Sequence, residues 1–237
     1  KQYLYKVIIK KADRVMVNSY DFKNNMKRKF GIEPIVIYNP LNKSEIVRKS
    51  KYKIKNIFPK KKLKIVSIGR LVDQKDQITL LKFLNFLKNK INFYLVLVGR
   101  GDLKQKLVNY TKSNNLSSKV KFVNFKSNPY PYIKQADLFI LTSKYEGLPN
   151  VLLESIALKK FIISSDCPTG PKEILLNGKC GYLFPVGDYK RLSRKILLFE
   201  KNSNKNKKII NRALKNLNRF DLNYNLKKYF NLLIPFI

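Results

Sequence analysis

Histidine is absent from this chain of 237 residues. Its absence excludes the usual general base, Ser-His nucleophilic triads and most zinc sites. Cysteine occurs only at Cys167 and Cys180, too few for a disulfide framework, which indicates a reducing compartment. The sequence also lacks a run of about 18 apolar residues and a recognisable secretory signal, so we expect no membrane-spanning helix.

Acidic residues are scarce: 15 Asp and Glu stand against 50 Lys and Arg, for a net charge of +35. A Lys/Asn-rich proteome would explain part of this excess, although such a bias should also supply glutamate. A charge of this size attracts phosphates, anionic lipid headgroups or nucleic acid. The basic residues are spread along the chain without an RNA-recognition or helix-turn-helix signature. We therefore expect an anionic membrane surface as a partner, and no specific nucleic acid.

Short apolar runs alternate with amphipathic segments from residue 63 onward, and 44% of all residues are hydrophobic, enough for a substantial core. Strands are predicted at 63–68, 93–98, 120–122, 138–141, 161–164 and 182–184. Helices are predicted at 77–87, 103–113, 132–135, 151–158, 171–176, 188–200, 205–217 and 222–233. The alternation predicts a Rossmann-like α/β fold, a parallel sheet with helices on both faces. Ligands of such sheets bind at the carboxyl ends of the strands.

The first 62 residues are less regular. Short strands are predicted at 14–18 and 35–38, on either side of a helix at 20–30 that ends at Gly31. Residues 42–62 are rich in lysine and contain Pro59, which is typical of a linker.

Basic side chains follow the first strand of the regular region. Gly69 permits a tight exit from the strand, and Arg70 and Lys75 then lie beside the next helix. A guanidinium fork and an ammonium together suit a diphosphate, although solvated charge on a basic protein is an equal alternative. Gly99 follows the second strand, where it would let the backbone approach a ligand or simply form a tight turn.

Two glutamates separated by seven residues mark the loop after the fourth strand. Glu146 lies in the loop, and Glu154 lies about one helical turn past Asn150, a candidate N-cap. Backbone amides at such a helix start can face an anion. The loop thus offers carboxylates for sugar hydroxyls beside a helix end for phosphate, although Glu154 could simply favour the helix dipole.

This segment resembles the E-x7-E motif of the family-4 retaining glycosyltransferases, which have the GT-B fold. Other motifs of that family follow in the same order and spacing over about residues 63–200, which is more specific than any single motif. The matching segments are 69–75, 136–141, 146–154, 164–174 and 181–188. Residues 11–19 resemble the last strand of the family's N-terminal domain, and residues 37–40 resemble the crossing into its C-terminal domain.

The resemblance implies a retaining transfer of a hexose or N-acetylhexosamine from a nucleotide diphosphate sugar, with UDP as the favoured carrier. Glu146 would hold the transferred sugar, Glu154 the ribose hydroxyls, and residues around Phe122–Phe125 the base. Arg70 and Lys75 would stabilise the leaving diphosphate, so neither a metal nor a cofactor is expected. The remaining residues assigned to donor binding are Gly69, Gly99, Gly147, Leu148, Pro149, Asn150 and Val151.

The same resemblance implies a domain organisation. Residues 1–41 would be the tail end of the acceptor-binding N-terminal domain, 42–62 the linker, and 63–220 the C-terminal nucleotide-sugar-binding domain. Residues 221–237 would form a helix packing back toward the N-terminal domain, most of which the sequence lacks. A separate N-terminal domain is therefore a possible partner, besides a glycan or lipid-linked acceptor. The expected location is cytoplasmic, peripheral at the inner face of the membrane.

Two other functions stay open. A related GT-B enzyme, such as a nucleotide-sugar epimerase or a glycogen-type phosphorylase, would need other acid/base residues or a pyridoxal-binding lysine, and neither pattern is seen. A non-catalytic remnant or subunit that binds nucleotide sugar or anionic membrane is favoured by the incomplete N-terminal part.

Overall fold

A computed structural model describes residue 9 and residues 11–236. In chain order its strands are β1 (Met16–Val17), β2 (Ile35–Val36), β3 (Leu63–Ile68), β4 (Phe93–Val98), β5 (Val120–Val123), β6 (Leu138–Leu141), β7 (Phe161–Ser165) and β8 (Tyr182–Phe184). Its helices are α1 (Tyr20–Phe30), α2 (Lys43–Lys49), α3 (Gln77–Leu87), α4 (Lys104–Ser113), α5 (Tyr130–Gln135), α6 (Asn150–Ala157), α7 (Pro171–Ile174), α8 (Tyr189–Lys201), α9 (Ser203–Asn216) and α10 (Leu222–Leu233).

The main sheet has six parallel strands in the order β5-β4-β3-β6-β7-β8. The strand order reverses direction at β3, where the chain crosses from one half of the sheet to the other. The predicted Rossmann-like fold is thereby confirmed, and the loops after β3 and β6 meet at this crossover. Such a point opens a crevice at the carboxyl edge of a doubly wound sheet.

Alternate side chains of each central strand enter two different cores. On β3, Ile65 packs against α3 and α8 on one face, whereas Val66 packs against α6 on the other. Both side chains are fully buried. Strands β4 and β6 are buried on both faces and read as continuous apolar runs, which explains why their positions are visible in the sequence.

Two helices differ in extent from the sequence expectation. The helix predicted at 171–176 ends at Ile174, because Leu176 and Asn177 adopt left-handed backbone conformations with φ of 47° and 53°. The helix predicted at 132–135 begins earlier, at Tyr130, with a proline in its first turn.

The segment expected to be a linker, residues 42–62, contains ordered structure. The Asn42 side chain caps helix α2 by accepting from the amide of Glu45. Ile46 and Phe58 are buried in the core that contains Val66. The lysine-rich composition of this segment predicted a linker. Two buried apolar residues, Ile46 and Phe58, instead attach it to the core.

The first part of the chain is fastened to the main domain through Glu173. Its carboxylate accepts hydrogen bonds from the amides of Tyr20 and Asp21, each at 3.1 Å, and from the Tyr38 hydroxyl at 2.6 Å. The free amides at the start of α1 thus find a negatively charged partner. Burial is the main cause that raises the pKa of Tyr38, and the hydrogen bond to Glu173 raises this pKa further.

Strands β1 and β2 form a separate two-stranded parallel sheet. Met16 and Ile35 pair across it and are exposed, at 39% and 41%. Helix α10 begins beside this part of the chain, where Asp221 bridges to Leu41 and Phe220 packs against Tyr38 with ring centroids 4.7 Å apart. Within the described residues, α10 has exposed apolar side chains at Tyr224, Leu226, Phe230 and Leu233.

Across residues 9 and 11–236, no helix combines the length and the apolar character required to cross a bilayer.

Candidate functional site

The carboxyl edge of the main sheet holds a cavity of about 490 Å³. It opens where the loops after β3, β4 and β5 face helix α6. The lining residues are Ile68, Gly69, Arg70, Val98, Gly99, Arg100, Phe125, Lys126, Ser127, Pro129, Tyr130 and Glu154. Three predicted site regions therefore meet in one cavity, as the carboxyl-end rule led us to expect.

Gly99 allows the first two of these loops to touch. A Cβ atom at Gly99 would lie 1.9 Å from the carbonyl oxygen of Gly69, far inside van der Waals contact. The amide of Gly69 also donates to the carbonyl of Val98 at 3.0 Å. Glycine at position 99 is thus required by backbone contact, and the tight approach forms one wall of the cavity.

Lys75 and Glu146 form an ion pair beside this cavity. The distance between Lys75 Nζ and Glu146 Oε1 is 2.6 Å, with side chains only 17% and 7% exposed. The Ser143 hydroxyl donates to the same oxygen at 2.6 Å. Within the described part of the chain, the hydrogen bonds of this carboxylate all fall on Oε1, so Oε2 is available to a ligand. The pair places an ammonium group and a carboxylate side by side at this edge of the sheet.

The loop after β7 braces the backbone of Glu146. The Glu146 amide donates to the Pro168 carbonyl at 2.7 Å, and the amide and hydroxyl of Thr169 donate to the Glu146 carbonyl at 3.1 and 3.0 Å. A Cβ atom at Gly170, where φ is 89°, would lie 2.1 Å from the carbonyl oxygen of Gly147. Two loops in close backbone contact therefore fix the position of the Glu146 carboxylate.

Arg70 is exposed at the cavity mouth. One guanidinium nitrogen, Nη2, donates to Oε1 of Gln74 at 3.2 Å. No ion pair involves Arg70 among residues 9 and 11–236, so the positive charge of this side chain is not cancelled by a carboxylate. A cation in that state is suited to bind an incoming anion.

Glu154 points into the cavity from α6. Burial raises the pKa of its carboxyl group, and a hydrogen bond from the Tyr130 hydroxyl, at 3.4 Å, partly opposes that shift. Burial and the nearby Glu154 carboxylate raise the pKa of Tyr130 to about 12, so its hydroxyl stays protonated at neutral pH. A partly buried carboxylate of this kind gains from ligand hydroxyls that replace lost water.

The start of α6 differs from the sequence interpretation. Pro149 occupies the N-cap position, and Asn150 is the first helical residue, so Asn150 is not the cap. Its Oδ1 instead accepts from Asn39 Nδ2 at 2.7 Å, which joins the helix start to the chain before α2. The first amides of α6 still lack intrahelical partners, as in any helix.

The remaining residues of this loop contribute to packing. Leu148 is buried, and Val151 packs against the same core. Gly147 provides close contact with the loop after β7.

Of the two phenylalanines predicted near the base, Phe125 lines the cavity and Phe122 packs against the core. Both lie within or after β5, and Phe122 shares the core-facing side of that strand with Val120. Phe125 lies beyond the strand end and is 58% exposed, with the Arg100 guanidinium 5.2 Å from its ring centroid. Phe122 is thus placed in the core by the strand, whereas Phe125 lies past its end and can line the cavity.

Sequence reasoning missed Arg100 and Tyr130, which line the cavity, and Gln74, which is hydrogen-bonded to Arg70. The signal that could have found Tyr130 is its place at the end of the loop that follows β5. Across the described residues, no group of three or more Cys, Asp or Glu side chains is arranged to hold a metal ion.

This arrangement defines a class of protein: a GT-B glycosyltransferase domain, with a cavity and charged side chains at the carboxyl edge of a parallel sheet. The family described as glycosyl transferases group 1 matches residues 48–216, and the chain belongs to this family.

Individual relatives are consistent with that family. An uncharacterized glycosyltransferase of Methanocaldococcus jannaschii is 32% identical over 179 residues, covering 72% of this chain and 44% of the relative. An enzyme of Campylobacter jejuni is 30% identical over 188 residues, covering 78% of this chain and 50% of the relative. That enzyme is named N-acetylgalactosamine-N,N'-diacetylbacillosaminyl-diphospho-undecaprenol 4-alpha-N-acetylgalactosaminyltransferase. The chain thus spans about half the length of these relatives.

A solved structure agrees on the fold. The crystal structure of HepE from Anabaena in complex with UDP-glucose superimposes with a TM-score of 0.82 at 20% identity. The match covers 94% of this chain and 64% of that protein.

Proposed function

We propose that this chain is the donor-binding part of a retaining glycosyltransferase that uses a UDP-hexose or UDP-N-acetylhexosamine. The observation that carries the proposal is the Lys75–Glu146 pair, with Arg70 and Glu154 at the same edge of the sheet. These groups supply two cations for a diphosphate and two carboxylates for sugar and ribose hydroxyls.

The positions of these groups around the cavity suggest how the donor lies in it. Phe125 and Arg100 at the cavity mouth would contact the base, and Glu154 the ribose. Arg70 and Lys75 would then bind the two phosphates, and Glu146 Oε2 would accept from a hydroxyl of the transferred sugar. UDP as the carrier is also suggested by the UDP-glucose complex of HepE, although that likeness alone shows only the fold.

In the transfer, the bond between the anomeric carbon and the diphosphate oxygen breaks, and a bond to the acceptor oxygen forms on the same face. The acceptor proton passes to the leaving phosphate oxygen, so the absence of histidine in this chain is compatible with the step. Negative charge grows on the diphosphate, where Arg70 and Lys75 lie. Losing one such donor typically costs about 3 kcal/mol in the barrier.

The acceptor is proposed to be a lipid-linked glycan or a surface polysaccharide. The name of the Campylobacter jejuni relative specifies a diphospho-undecaprenol glycan. The charge of +35 would hold this chain near anionic lipid. We therefore propose that it binds peripherally to the cytoplasmic face of the membrane. Sedimentation with phosphatidylglycerol vesicles, but not with phosphatidylcholine vesicles, is the expected result; equal sedimentation would contradict this part.

The acceptor would be bound with the help of a further domain that covers β1 and β2. Met16 and Ile35 expose apolar surface on a two-stranded parallel sheet, and such a small sheet is not stable without further packing. Residues 11–41 are therefore proposed to complete a domain whose other strands come from elsewhere.

Calorimetric titration with UDP, GDP and ADP tests the donor site. We expect UDP to bind, and Arg70→Ala and Glu154→Ala to weaken it. Arg191→Ala, which removes an arginine paired with Asp188 on α8, should leave it unchanged. Failure of all three nucleotides to bind a folded sample would contradict the proposal.

Transfer itself is tested by UDP release from UDP-hexoses and UDP-N-acetylhexosamines, with an undecaprenyl-diphosphate glycan as acceptor. Glu146→Gln should abolish acceptor-dependent release, and nuclear magnetic resonance of the product should show the anomeric configuration of the donor. Donor binding without any release would favour a non-catalytic nucleotide-sugar-binding subunit.

A further inference from the structure

Gln74 connects the loop that carries Arg70 to the loop that carries Glu146. Its Oε1 accepts from Arg70 Nη2 at 3.2 Å, and its Nε2 donates to the carbonyl of Tyr145 at 2.9 Å. Its own carbonyl accepts from the amide of Lys144 at 2.8 Å. One residue therefore contacts the side chain of Arg70 and the backbone next to Glu146.

The chemistry of this side chain matters because an amide has no charge. A carboxylate in the same place would pair with Arg70 and compete with a diphosphate for its charge. The amide oxygen holds the guanidinium while leaving its positive charge available. The amide nitrogen can also donate to the Tyr145 carbonyl, which a carboxylate cannot do.

Arg70 needs such a contact because it is exposed. Ordering a free arginine side chain on a surface costs rotamer entropy, because the chain is long and flexible. The backbone of Arg70 is already fixed, since the Gln77 side chain donates to its carbonyl at 2.8 Å. Among the described residues, Gln74 is the one that the Arg70 guanidinium contacts by a hydrogen bond.

The two loops are held together by other bonds as well. Lys144 Nζ pairs with both carboxylate oxygens of Asp73, at 2.7 and 2.8 Å. The Thr142 hydroxyl donates to the carbonyl of Lys75 at 2.9 Å. The backbone bond from Lys144 to Gln74 does not depend on the glutamine side chain. Loss of the Gln74 amide should therefore release Arg70 without separating the loops.

We infer that Gln74 is a positioning residue, which orients the Arg70 guanidinium toward the diphosphate of the donor. This inference rests on the proposed function, because it concerns the same donor site. It assigns to Gln74 a part of the phosphate affinity that would otherwise be attributed to Arg70 alone.

The test is a calorimetric double-mutant cycle with UDP on the full chain. Gln74→Met keeps the length of the side chain and removes its hydrogen bonds. The substitution should lower UDP affinity about three- to tenfold, which is the range for one lost hydrogen bond. In the Arg70→Ala background, the same substitution should change UDP affinity by less than twofold, since nothing is left to orient.

Controls separate positioning from general loosening. Gln105→Met removes a glutamine whose partner is Asn109 on α4, and should leave UDP binding unchanged. Asp73→Asn weakens the Lys144 pair between the same loops without touching Arg70, and should change UDP affinity less than Gln74→Met does. Uridine, which has no phosphate, tests whether any loss is specific to the diphosphate.

The inference would be overturned if Gln74→Met lowered UDP affinity equally in both backgrounds, or if it lowered uridine affinity as much as UDP affinity. Either result would leave the proposed donor site itself uncontradicted. Unchanged UDP affinity in Gln74→Met would overturn the inference as well. Failure of the unsubstituted chain to bind any of UDP, GDP and ADP would instead contradict the proposed function, and the inference with it.

Discussion

The carboxyl edge of the main sheet differs from two other regions, the β1–β2 sheet and helix α10, in how completely it is packed. At the edge, Lys75 pairs with Glu146, and backbone segments are in contact at Gly99 and Gly170. In the other two regions, apolar side chains such as Met16 and Phe230 are exposed. The proposed donor site therefore lies in a well-packed region, whereas the exposed apolar side chains are suited to further packing.

The largest expected effect separates two phenylalanines near the end of the chain. Phe220 is 1% exposed and Phe230 is 61% exposed. Phe220→Ala should lower the free energy of unfolding by about 3–5 kcal/mol, because it leaves a cavity. Phe230→Ala should change it by less than about 0.5 kcal/mol. Chemical denaturation measures both, and comparable losses would mean that α10 already packs fully in this chain.

The ion pair should give the next largest effect. Lys75→Ala removes a charged partner from the diphosphate and from Glu146, so UDP affinity should fall about 10- to 100-fold. Lys207→Ala, which removes an exposed lysine on α9, is the matched control and should have no effect on titration with UDP. An equal, small change in both variants would show that Lys75 contributes only to the overall positive field.

The contact between the first two loops predicts a loss of stability. Gly99→Ala puts a methyl group against the Gly69 carbonyl, so the loops must move apart. We expect the free energy of unfolding to fall by about 1–3 kcal/mol and UDP affinity to fall with it. Gly31→Ala is the control for stability alone, since a Cβ there meets no neighbour and its cost comes from the left-handed φ of 68°. Unchanged UDP affinity in Gly99→Ala would mean that this contact does not shape the site.

A smaller effect follows from the raised pKa of Glu154. Hydroxyl groups donate to the ionised carboxylate, so UDP affinity should fall as the pH is lowered through that pKa, beginning above the ordinary range of a glutamate. In the free protein the sign is opposite: burial disfavours the charged form, so Glu154 costs stability above its pKa and ceases to do so below it. Titration with UDP from pH 7 to pH 5 measures the effect. Glu154→Gln should leave only the pH dependence that comes from the terminal phosphate of UDP, and an unchanged pH dependence in that variant would assign the effect to another group.

The smallest expected effect belongs to Tyr130. Its hydroxyl bonds Glu154 at 3.4 Å and partly opposes the rise in the pKa of that carboxyl group. Tyr130→Phe should weaken UDP binding less than about threefold at pH 7, and should shift the loss of affinity to higher pH. A shift to lower pH would contradict the assigned direction of this hydrogen bond.

The sequence predicted the structure best where runs of apolar residues recur along the chain. Strands such as Phe93–Val98 and Leu138–Leu141 are apolar on both faces, so their positions and the parallel fold could be predicted. Glu146 and Glu154 were found by their spacing in a loop, and the structure brings them to the same edge as Arg70 and Lys75.

Contacts between segments that are distant along the chain could not be predicted from sequence patterns. The cap of α6 was misassigned because Asn150 pairs with Asn39, more than 100 residues away in sequence. Gln74 was overlooked because its partners, Arg70 and Tyr145, lie in different loops. Helix α2 was missed because it is short and lies in a lysine-rich segment, with Ile46 as its buried residue.

A crystal structure of this chain with UDP would test the central claim most directly, namely that the donor site is complete in this chain. We predict the diphosphate within hydrogen-bond distance of Arg70 and Lys75, the ribose hydroxyls on Glu154, and the base beside Phe125. UDP bound elsewhere, or bound at this edge with its diphosphate away from both cations, would contradict the account.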